Sequence, residues 1–242
     1  MLQALKRYYL AQMARPGAAG LLLNPFYFAR RGLYEAVRAF SGQLKGRVLD
    51  VGCGTRPYES LFAASEYIGL ELDTPAARAR NRADYYYDGA VFPFDAESFD
   101  ALLCNQVFEH VFNPEHFMAE MNRVLKPGGR LLLTVPFAWD EHEQPHDFAR
   151  YTSFGLTAVL RNAGFEVVEH RKTMADVRAV CQLLNAYLHK VTTTGGGYLD
   201  IVATVLLMAP VNLLGAVLRW VTPANPDFYL DNVVLAVKGS RR

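Results

Sequence analysis

Residues 48–54 read Val-Leu-Asp-Val-Gly-Cys-Gly and are the most informative segment of the chain. Its apolar residues predict a buried strand, and Gly52 and Gly54 let the backbone turn sharply after it and approach a ligand closely. In nucleoside-binding folds a carboxylate follows about twenty residues later, where it accepts hydrogen bonds from the ribose. Glu71 stands at that distance, with Asp73 two residues on. The spacing therefore predicts a nucleoside site at the ends of two neighbouring strands.

The pattern of apolar runs on both sides of this stretch predicts an α/β fold. Helical patterns separate the runs, and the clearest begins at Asn113-Pro114 and stops at residues 126–129. A later helix is capped by Thr152 or Ser153. Strands that alternate with helices predict a mostly parallel sheet with helices on both faces. The predicted strands are 47–51, 67–72, 85–87, 99–104, 130–135, 165–169 and 232–237.

The order of these elements predicts four regions. Residues 1–44 form an N-terminal helical cap, 45–170 a Rossmann-like core, 171–231 an apolar helical insertion, and 232–242 the last strand with a basic tail. In the cap, Leu2, Leu5 and Tyr9 share one predicted helical face. Basic residues flank the helices of the cap: Lys6, Arg7, Arg30 and Arg31.

The composition argues against several classes of function. A formal net charge of +1 gives no long-range field, so nucleic acid is not an expected partner. The three cysteines are odd in number and widely spaced, which favours a reducing compartment and argues against a zinc site. No secretory signal is recognisable, and a cytoplasmic location is expected.

The Gly-x-Gly turn also occurs in nicotinamide-binding proteins, and its surroundings distinguish the two cofactors. A dinucleotide site needs a third glycine three residues after Gly54, where this chain has Pro57. A pyrophosphate also needs the amides of a helix N-terminus, with which Arg56 and Pro57 interfere. Asp50 would repel a bound phosphate. S-Adenosylmethionine carries no phosphate, so the turn favours this cofactor.

Six segments, in this order, resemble class I S-adenosylmethionine-dependent methyltransferases, particularly the bacterial group with a methyltransferase-11-like domain. They are Val48–Gly54, Tyr67–Asp73, Asp88 with Phe92–Phe94, Ser98–Asp100, Glu109–Val111 and Arg123–Gly129.

The resemblance implies a cofactor site, from which S-adenosylhomocysteine would leave as product. Asp50, Gly52 and Gly54 would line the methionine part, with Cys53 beside them. Glu71, where many relatives have aspartate, would bind the ribose hydroxyls next to Leu72. Asp88, Gly89 and Ala90 would contact the adenine, and Asn105 and Gln106 would edge the methyl-transfer pocket.

A polar loop, residues 140–147, follows the fifth predicted strand and is the expected place of the methyl acceptor. His142 and His146 are four residues apart, but Pro145 argues against the helix that a metal pair at this spacing needs, so no metal is expected. We predict His146 as general base, oriented by Asp147, with His142 as the next candidate. The alternative is that His146, Asp147 and Arg150 only pin the loop.

Residues 145–152, together with Gly54–Tyr58 and Asn24-Pro25, resemble methyltransferases from bacterial surface-polysaccharide and glycolipid gene clusters. This resemblance implies O-methylation of a sugar or lipid-linked glycan. Two alternatives stay open: a small-molecule or quinone-type O-methyltransferase, and a non-catalytic scaffold that binds a partner through the apolar insertion.

The segment from Ile201 to Leu218 carries no charged residue, and Tyr198, Arg219 and Trp220 flank it like interfacial anchors. Pro210 and Asn212 predict a bend or hairpin. Three interpretations compete: peripheral contact of residues 198–221 with the inner face of the membrane, a homodimer interface, and a lid over an apolar acceptor. The first is favoured, because a single crossing would separate the last strand from its sheet.

Overall fold

The computed structural model describes residues 8, 11–13, 15–193, 195 and 197–239. The predicted helical face at Leu2, Leu5 and Tyr9, and the basic residues Lys6 and Arg7, lie outside these residues. The chain divides into two compact units. We call them the sheet unit (Ala36–Phe137, Glu141–Arg171 and Asn232–Arg242) and the helical unit (Met1–Glu35, Ala138–Asp140 and Lys172–Asp231).

The sheet unit is built on seven strands in the order β3-β2-β1-β4-β5-β7-β6. The pairs β1–β2, β1–β4, β2–β3 and β4–β5 are parallel. Their carboxyl ends therefore meet at one edge, which we call the carboxyl edge. This arrangement confirms the predicted α/β Rossmann-like fold. The strands are β1 Gly46–Val51, β2 Ala64–Leu72, β3 Tyr85–Tyr87, β4 Phe99–Asn105, β5 Leu125–Pro136, β6 Phe165–Lys172 and β7 Asp231–Lys238.

Eight α-helices lie in the described residues: α1 Gly20–Leu23, α2 Tyr27–Ser41, α3 Pro75–Arg80, α4 Pro114–Val124, α5 Ser153–Asn162, α6 Val177–Thr192, α7 Tyr198–Ala203 and α8 Ala209–Leu218. Side-chain hydrogen bonds cap the N-termini of α4 and α5. The Asn113 side chain accepts from His116 N, and the Thr152 side chain accepts from Gly155 N, so Thr152 and not Ser153 caps α5.

Residues 126–129, predicted to stop a helix, lie inside β5 instead. Helix α4 ends at Val124 and the strand begins at the next residue. Leu125 pairs with Phe99 and Arg130 with Ala101, so the register shifts between them. Gly128 has a φ of +73°, which a side chain would oppose. The glycines therefore permit a bulge inside the strand rather than a loop before it.

Apolar residues of the central strands and of two helices form the core of the sheet unit. Fully buried members are Leu49, Leu102, Leu133, Met118 and Leu160. The helical unit has its own core, with Phe28, Ala179, Cys181 and Leu230.

Of the bend or hairpin predicted at Pro210, the hairpin is wrong, because residues 198–218 form one continuous helix. A π-helical turn over Thr204–Met208 joins α7 to α8, and Pro210 lies in the first turn of α8. Proline cannot donate to the preceding turn, and a π-turn changes the hydrogen-bond pattern locally, so the helix continues past it. Among the described residues, this helix is long and apolar enough to cross a membrane by length and composition, with a mean hydropathy of 2.3.

Candidate active site

The glycine turn after β1 lies at the carboxyl edge. Gly52 and Gly54 have φ values of +71° and +53°, which side chains oppose. A Cβ on Gly52 would overlap the Val107 side chain, whereas one on Gly54 would meet nothing within 4 Å. Gly52 is thus required for packing, and Gly54 presents backbone to open space where a ligand can approach.

Asp50 precedes this turn and is buried. The Tyr67 hydroxyl donates to Asp50 Oδ2 at 2.8 Å. Burial raises the pKa of Asp50 to about 7, against the opposing effects of the Tyr67 hydrogen bond and the charge of Arg56. The role of Tyr67 was not predicted, because only the tertiary fold brings its hydroxyl to Asp50.

Glu71 at the end of β2 is directed at the glycine turn. Gly54 N donates to Glu71 Oε2 at 2.8 Å, and Leu72 N donates to Oε1 at 3.1 Å. Asp73 instead forms two hydrogen bonds of 2.8 Å with Arg78. Of the two carboxylates that the spacing offered, Glu71 is the one placed beside the turn. Cys53 within the turn is buried, which raises the pKa of its thiol to about 12.

The remaining polar residues that we predicted at the cofactor site form hydrogen bonds within their own turn or with the neighbouring strand. Asp88 Oδ1 accepts from Ala90 N at 2.9 Å and from Val91 N at 3.4 Å, a side-chain turn, and Gly89 has a φ of +92°. After β4, Thr134 Oγ1 donates to Asn105 Oδ1 at 2.9 Å. Gln106 N donates to Thr134 O at 3.0 Å. Thr134, which the sequence analysis did not select, therefore positions both residues.

The prediction that Asp147 orients His146 is wrong. Arg150 donates to both carboxylate oxygens of Asp147, at 2.6 and 2.7 Å, and lowers the pKa of Asp147 to about 2. The same carboxylate accepts from His142 N at 2.9 Å and lies 3.3 Å from His142 Nδ1. His146 is exposed. Asp147 turns toward His142 because the loop folds back on Arg150.

A second histidine reaches this loop from the turn after β4. His110 Nδ1 lies 2.7 Å from the backbone oxygen of His146, and the rings of His110 and His142 are 4.8 Å apart. Glu109 is fully buried, and its Oε1 lies 3.7 Å from His110 Nε2. Burial lowers the pKa of His110. From sequence alone, Glu109 and His110 were only part of a family motif, because nothing local marks the buried carboxylate.

A cavity lies at the opposite edge of the sheet, lined by Gly42, Lys45, Asp100 and Arg130 among others. It borders the amino ends of β1 and β4, and a bound molecule there would lie away from the glycine turn. We do not assign it to the cofactor, because ligands of open parallel sheets bind beyond the carboxyl ends of the strands.

Residues 49–133 match the family model described as a methyltransferase domain. A protein of Mycolicibacterium smegmatis, described as a probable S-adenosylmethionine-dependent methyltransferase, is 32% identical over 61% of this chain and 62% of its own length. The demethylmenaquinone methyltransferase of Renibacterium salmoninarum is 35% identical over 43% of this chain and 46% of its own. This chain thus spans less than two thirds of either relative.

The fold comparison agrees with the sequence comparison. Phosphoethanolamine N-methyltransferase 2 of Haemonchus contortus, solved with S-adenosylmethionine, superimposes with a TM-score of 0.55. It is 18% identical, over 96% of this chain and 59% of that chain. Residues 49–133 thus match a methyltransferase domain, and the whole chain shares the fold of a solved methyltransferase. The fold comparison confirms the predicted fold, and the descriptions of the relative and of the solved structure both name S-adenosylmethionine.

Proposed function

We propose that this protein transfers a methyl group from S-adenosylmethionine to a hydroxyl of a sugar or lipid-linked glycan. The observation that carries the proposal is the Glu71 carboxylate held 2.8 Å from Gly54 N at the carboxyl edge, inside the matched domain. The cofactor, when bound, supplies an electrophilic methyl group on a sulfonium. Glu71 would hold its ribose and Asp50 would lie near its cationic methionine part.

The proposal places the acceptor at the loop of residues 140–152, which we call the acceptor loop. His142 is the side chain that we propose activates the acceptor hydroxyl, because Asp147 and Arg150 position it while His146 points to solvent. Alignment of the two reactants supplies most of the rate, and activation of the hydroxyl adds a factor of roughly 10²–10⁴.

The glycan assignment rests on the resemblance of residues 145–152 to methyltransferases of surface-polysaccharide and glycolipid clusters. A quinone-type acceptor is the second candidate, and the Renibacterium salmoninarum relative favours it. A non-catalytic scaffold is disfavoured, since a scaffold has no need of the arrangement of Gly52, Gly54 and Glu71.

We further propose that the protein works in the cytoplasm, attached to the inner face of the membrane through residues 198–221. Leu206, Leu214 and Val217 of this segment are 66%, 54% and 63% exposed, an unusual extent for apolar side chains. A second exposed apolar row lies on α6 of the same unit and comprises Val180, Leu184, Tyr187 and Val191. β7 follows the segment and joins the same sheet as β5 and β6, which precede it. Both ends of the segment therefore stay on one side of the membrane, and we propose that it lies along the membrane surface without crossing.

Calorimetry with a Glu71→Ala variant tests the cofactor site. We expect the parent protein to bind S-adenosylmethionine in the micromolar range and not to bind NAD. Glu71→Ala removes two hydrogen bonds to the ribose and should weaken binding by about 2–4 kcal/mol. Glu66→Ala, an exposed glutamate on the same strand, is the control and should bind like the parent. Equal affinity of all three proteins would remove Glu71 from the site.

The acceptor is tested with S-adenosylmethionine carrying a labelled methyl group. We expect label in lipid-linked glycans and none in demethylated quinones offered at the same concentration. Label that accumulates only in the quinones would replace the first candidate by the second. The Glu71→Ala variant serves as the blank for both acceptors.

A further inference from the structure

Three side chains of the kinds that bind metal ions lie close together where the turn after β4 meets the acceptor loop: Glu109, His110 and His142. One ligand atom of each residue lies within 4.8 Å of those of the other two. Glu109 and His110 follow β4, and His142 belongs to the loop after β5, so the fold alone brings them together. We propose that these three residues bind a divalent transition-metal ion. The proposal departs from the sequence-based expectation of no metal, which considered only His142 and His146.

The hydrogen bonds of His110 fix the ring for this role. Its Nδ1 lies 2.7 Å from the backbone oxygen of His146, and a carbonyl oxygen only accepts, so Nδ1 carries the proton. Nε2 then holds the lone pair, and it is this atom that lies 3.7 Å from Glu109 Oε1. Metal-binding histidines commonly donate their other ring N–H to a carbonyl or carboxylate in this way.

His142 has the matching arrangement. Its Nδ1 lies 3.3 Å from Asp147 Oδ2 and 3.4 Å from Arg150 Nη2. In the metal-bound form that we propose, the proton lies on Nδ1 and is donated to Asp147, Arg150 stays on the Asp147 carboxylate, and Nε2 is the ligand, as in carboxylate–histidine–metal sites. Both oxygens of Asp147 accept from Arg150, so the guanidinium charge beside the site is compensated.

Two imidazoles and one carboxylate form the donor set of many catalytic sites for zinc and other transition metals, which leave at least one position for water or substrate. The His110 and His142 side chains are 20% and 32% exposed, so the open position would face solvent, whereas Glu109 closes the buried side. Ligands about 2.0–2.2 Å from a cation lie roughly 3–4 Å apart, so the three atoms must move closer by about 1 Å. Small shifts of the partly exposed His142 ring and of the Glu109 side chain can supply this movement.

The inference rests on the proposed function for its purpose. A cation at this place would lower the pKa of an acceptor hydroxyl, whose proton would leave to solvent water, so His142 would activate the hydroxyl as a metal ligand and not by accepting its proton. The binding site itself does not depend on that purpose and is testable alone.

The test is calorimetric titration of the full chain, freed of any affinity tag and of metal, with Zn²⁺ and separately with Co²⁺. We expect one equivalent to bind. His110→Ala, His142→Ala and the isosteric Glu109→Gln should each weaken binding at least tenfold, because the alanine variants each lose a ligand and the glutamine variant loses the negative charge of one. His146→Ala is the matched control from the same loop and should bind within about twofold of the parent, because its backbone oxygen remains. Circular dichroism checks that each variant is folded.

Absence of binding in the folded parent, or binding retained by both histidine variants, would overturn the metal site. S-Adenosylmethionine binding, measured on the same samples, separates this outcome from failure of the proposed function. A parent that binds S-adenosylmethionine but no metal keeps the proposed function and loses the inference. A parent that binds metal but not S-adenosylmethionine keeps the metal site and overturns the proposed function.

Discussion

At the scale of single residues, the Asp147 carboxylate holds two parts of the acceptor loop together. It accepts from Arg150 and from the backbone of His142 and lies 3.3 Å from the His142 ring. Three neighbours on one carboxylate restrict the loop more than a single histidine pair would. The residue that the loop holds in place is therefore His142, and the residue that it leaves exposed is His146.

The two loop histidines should differ in their effect on turnover. His142→Ala is expected to slow methyl transfer by roughly 10²–10⁴-fold, because the acceptor hydroxyl loses its activating group. His146→Ala should stay within a few-fold of the parent. Rates with saturating labelled cofactor measure both variants, and cofactor affinity should be unchanged in each. A slow His146→Ala beside a normal His142→Ala would return the role to His146.

Asp50 makes the stability of the protein depend on pH. Burial raises its pKa in the folded chain from 3.8 to about 7, so between these values the folded state holds a proton that the unfolded state releases. The contribution of Asp50 to stability therefore decreases as pH rises through this window. Asp50→Asn keeps an oxygen for the Tyr67 hydroxyl and cannot ionise. We expect the variant to gain stability relative to the parent from pH 5 to 8, by an amount on the order of 1–4 kcal/mol.

Urea unfolding of the parent and of Asp50→Asn at several pH values measures this difference. Other titrating groups are common to both proteins and cancel in the subtraction. A difference that is constant over the range would show that Asp50 is already ionised in the folded protein.

At the scale of elements, the helix over residues 198–218 combines two surfaces. Thr204, Met208, Ala209, Asn212 and Gly215 are buried, whereas Leu206, Leu207, Leu213 and Leu214 are each at least 45% exposed. A helix that is apolar on both sides has no polar face to present to water. The exposed side is therefore the one that a membrane, a partner chain or an apolar acceptor would cover.

Liposome flotation tests which of these covers it. With anionic vesicles, the parent should float, because burial of apolar surface contributes about 25 cal/mol per Å². Changing Leu206, Leu207, Leu213 and Leu214 to serine should abolish flotation and preserve S-adenosylmethionine binding. Phe154→Ser with Val168→Ser, at exposed apolar positions of the sheet unit, is the control and should still float. A parent that stays at the bottom and sediments as a dimer would favour the homodimer interface.

At the scale of the whole molecule, polar side chains inside the helical unit connect segments that are far apart in sequence. Asn212 is fully buried, and its Nδ2 donates to Leu21 O and Asn24 O, both at 3.0 Å. Its Oδ1 accepts from Asn185 Nδ2 at 2.9 Å. Gln182 likewise donates to Pro25 O and accepts from Phe28 N. These bonds hold α6 and α8 against the described N-terminal segment.

Asn212→Leu should destabilise the helical unit by about 2–5 kcal/mol, since it leaves buried carbonyl groups without their donor. Leu214→Ala on the exposed side of the same helix should change stability by less than about 1 kcal/mol. Both tryptophans, Trp139 and Trp220, belong to the helical unit, so tryptophan fluorescence during urea unfolding reports on it. An Asn212→Leu midpoint equal to that of the parent would mean that these hydrogen bonds add no net stability.

The class of fold could be predicted from the sequence alone, and the same local patterns selected the residues that we expect to bind the cofactor. Alternation of apolar runs and helical patterns is a local property, and so is the Gly-x-Gly turn with Glu71 at its fixed distance, so both can be predicted without coordinates. The strand positions agree with the structure for the same reason. The bulge in β5 was missed, because glycine after a helix is also the usual helix-stop signal.

Contacts between side chains far apart along the chain became visible only in the folded structure. Asp147 turned to His142 instead of His146, and Glu109 and His110 met His142 across more than thirty residues of sequence. Asn212 had been a sign of a hairpin, and in the fold it is a buried hydrogen-bonding residue. Such pairings depend on how loops pack at the carboxyl edge and inside the helical unit, and no spacing along the chain encodes them.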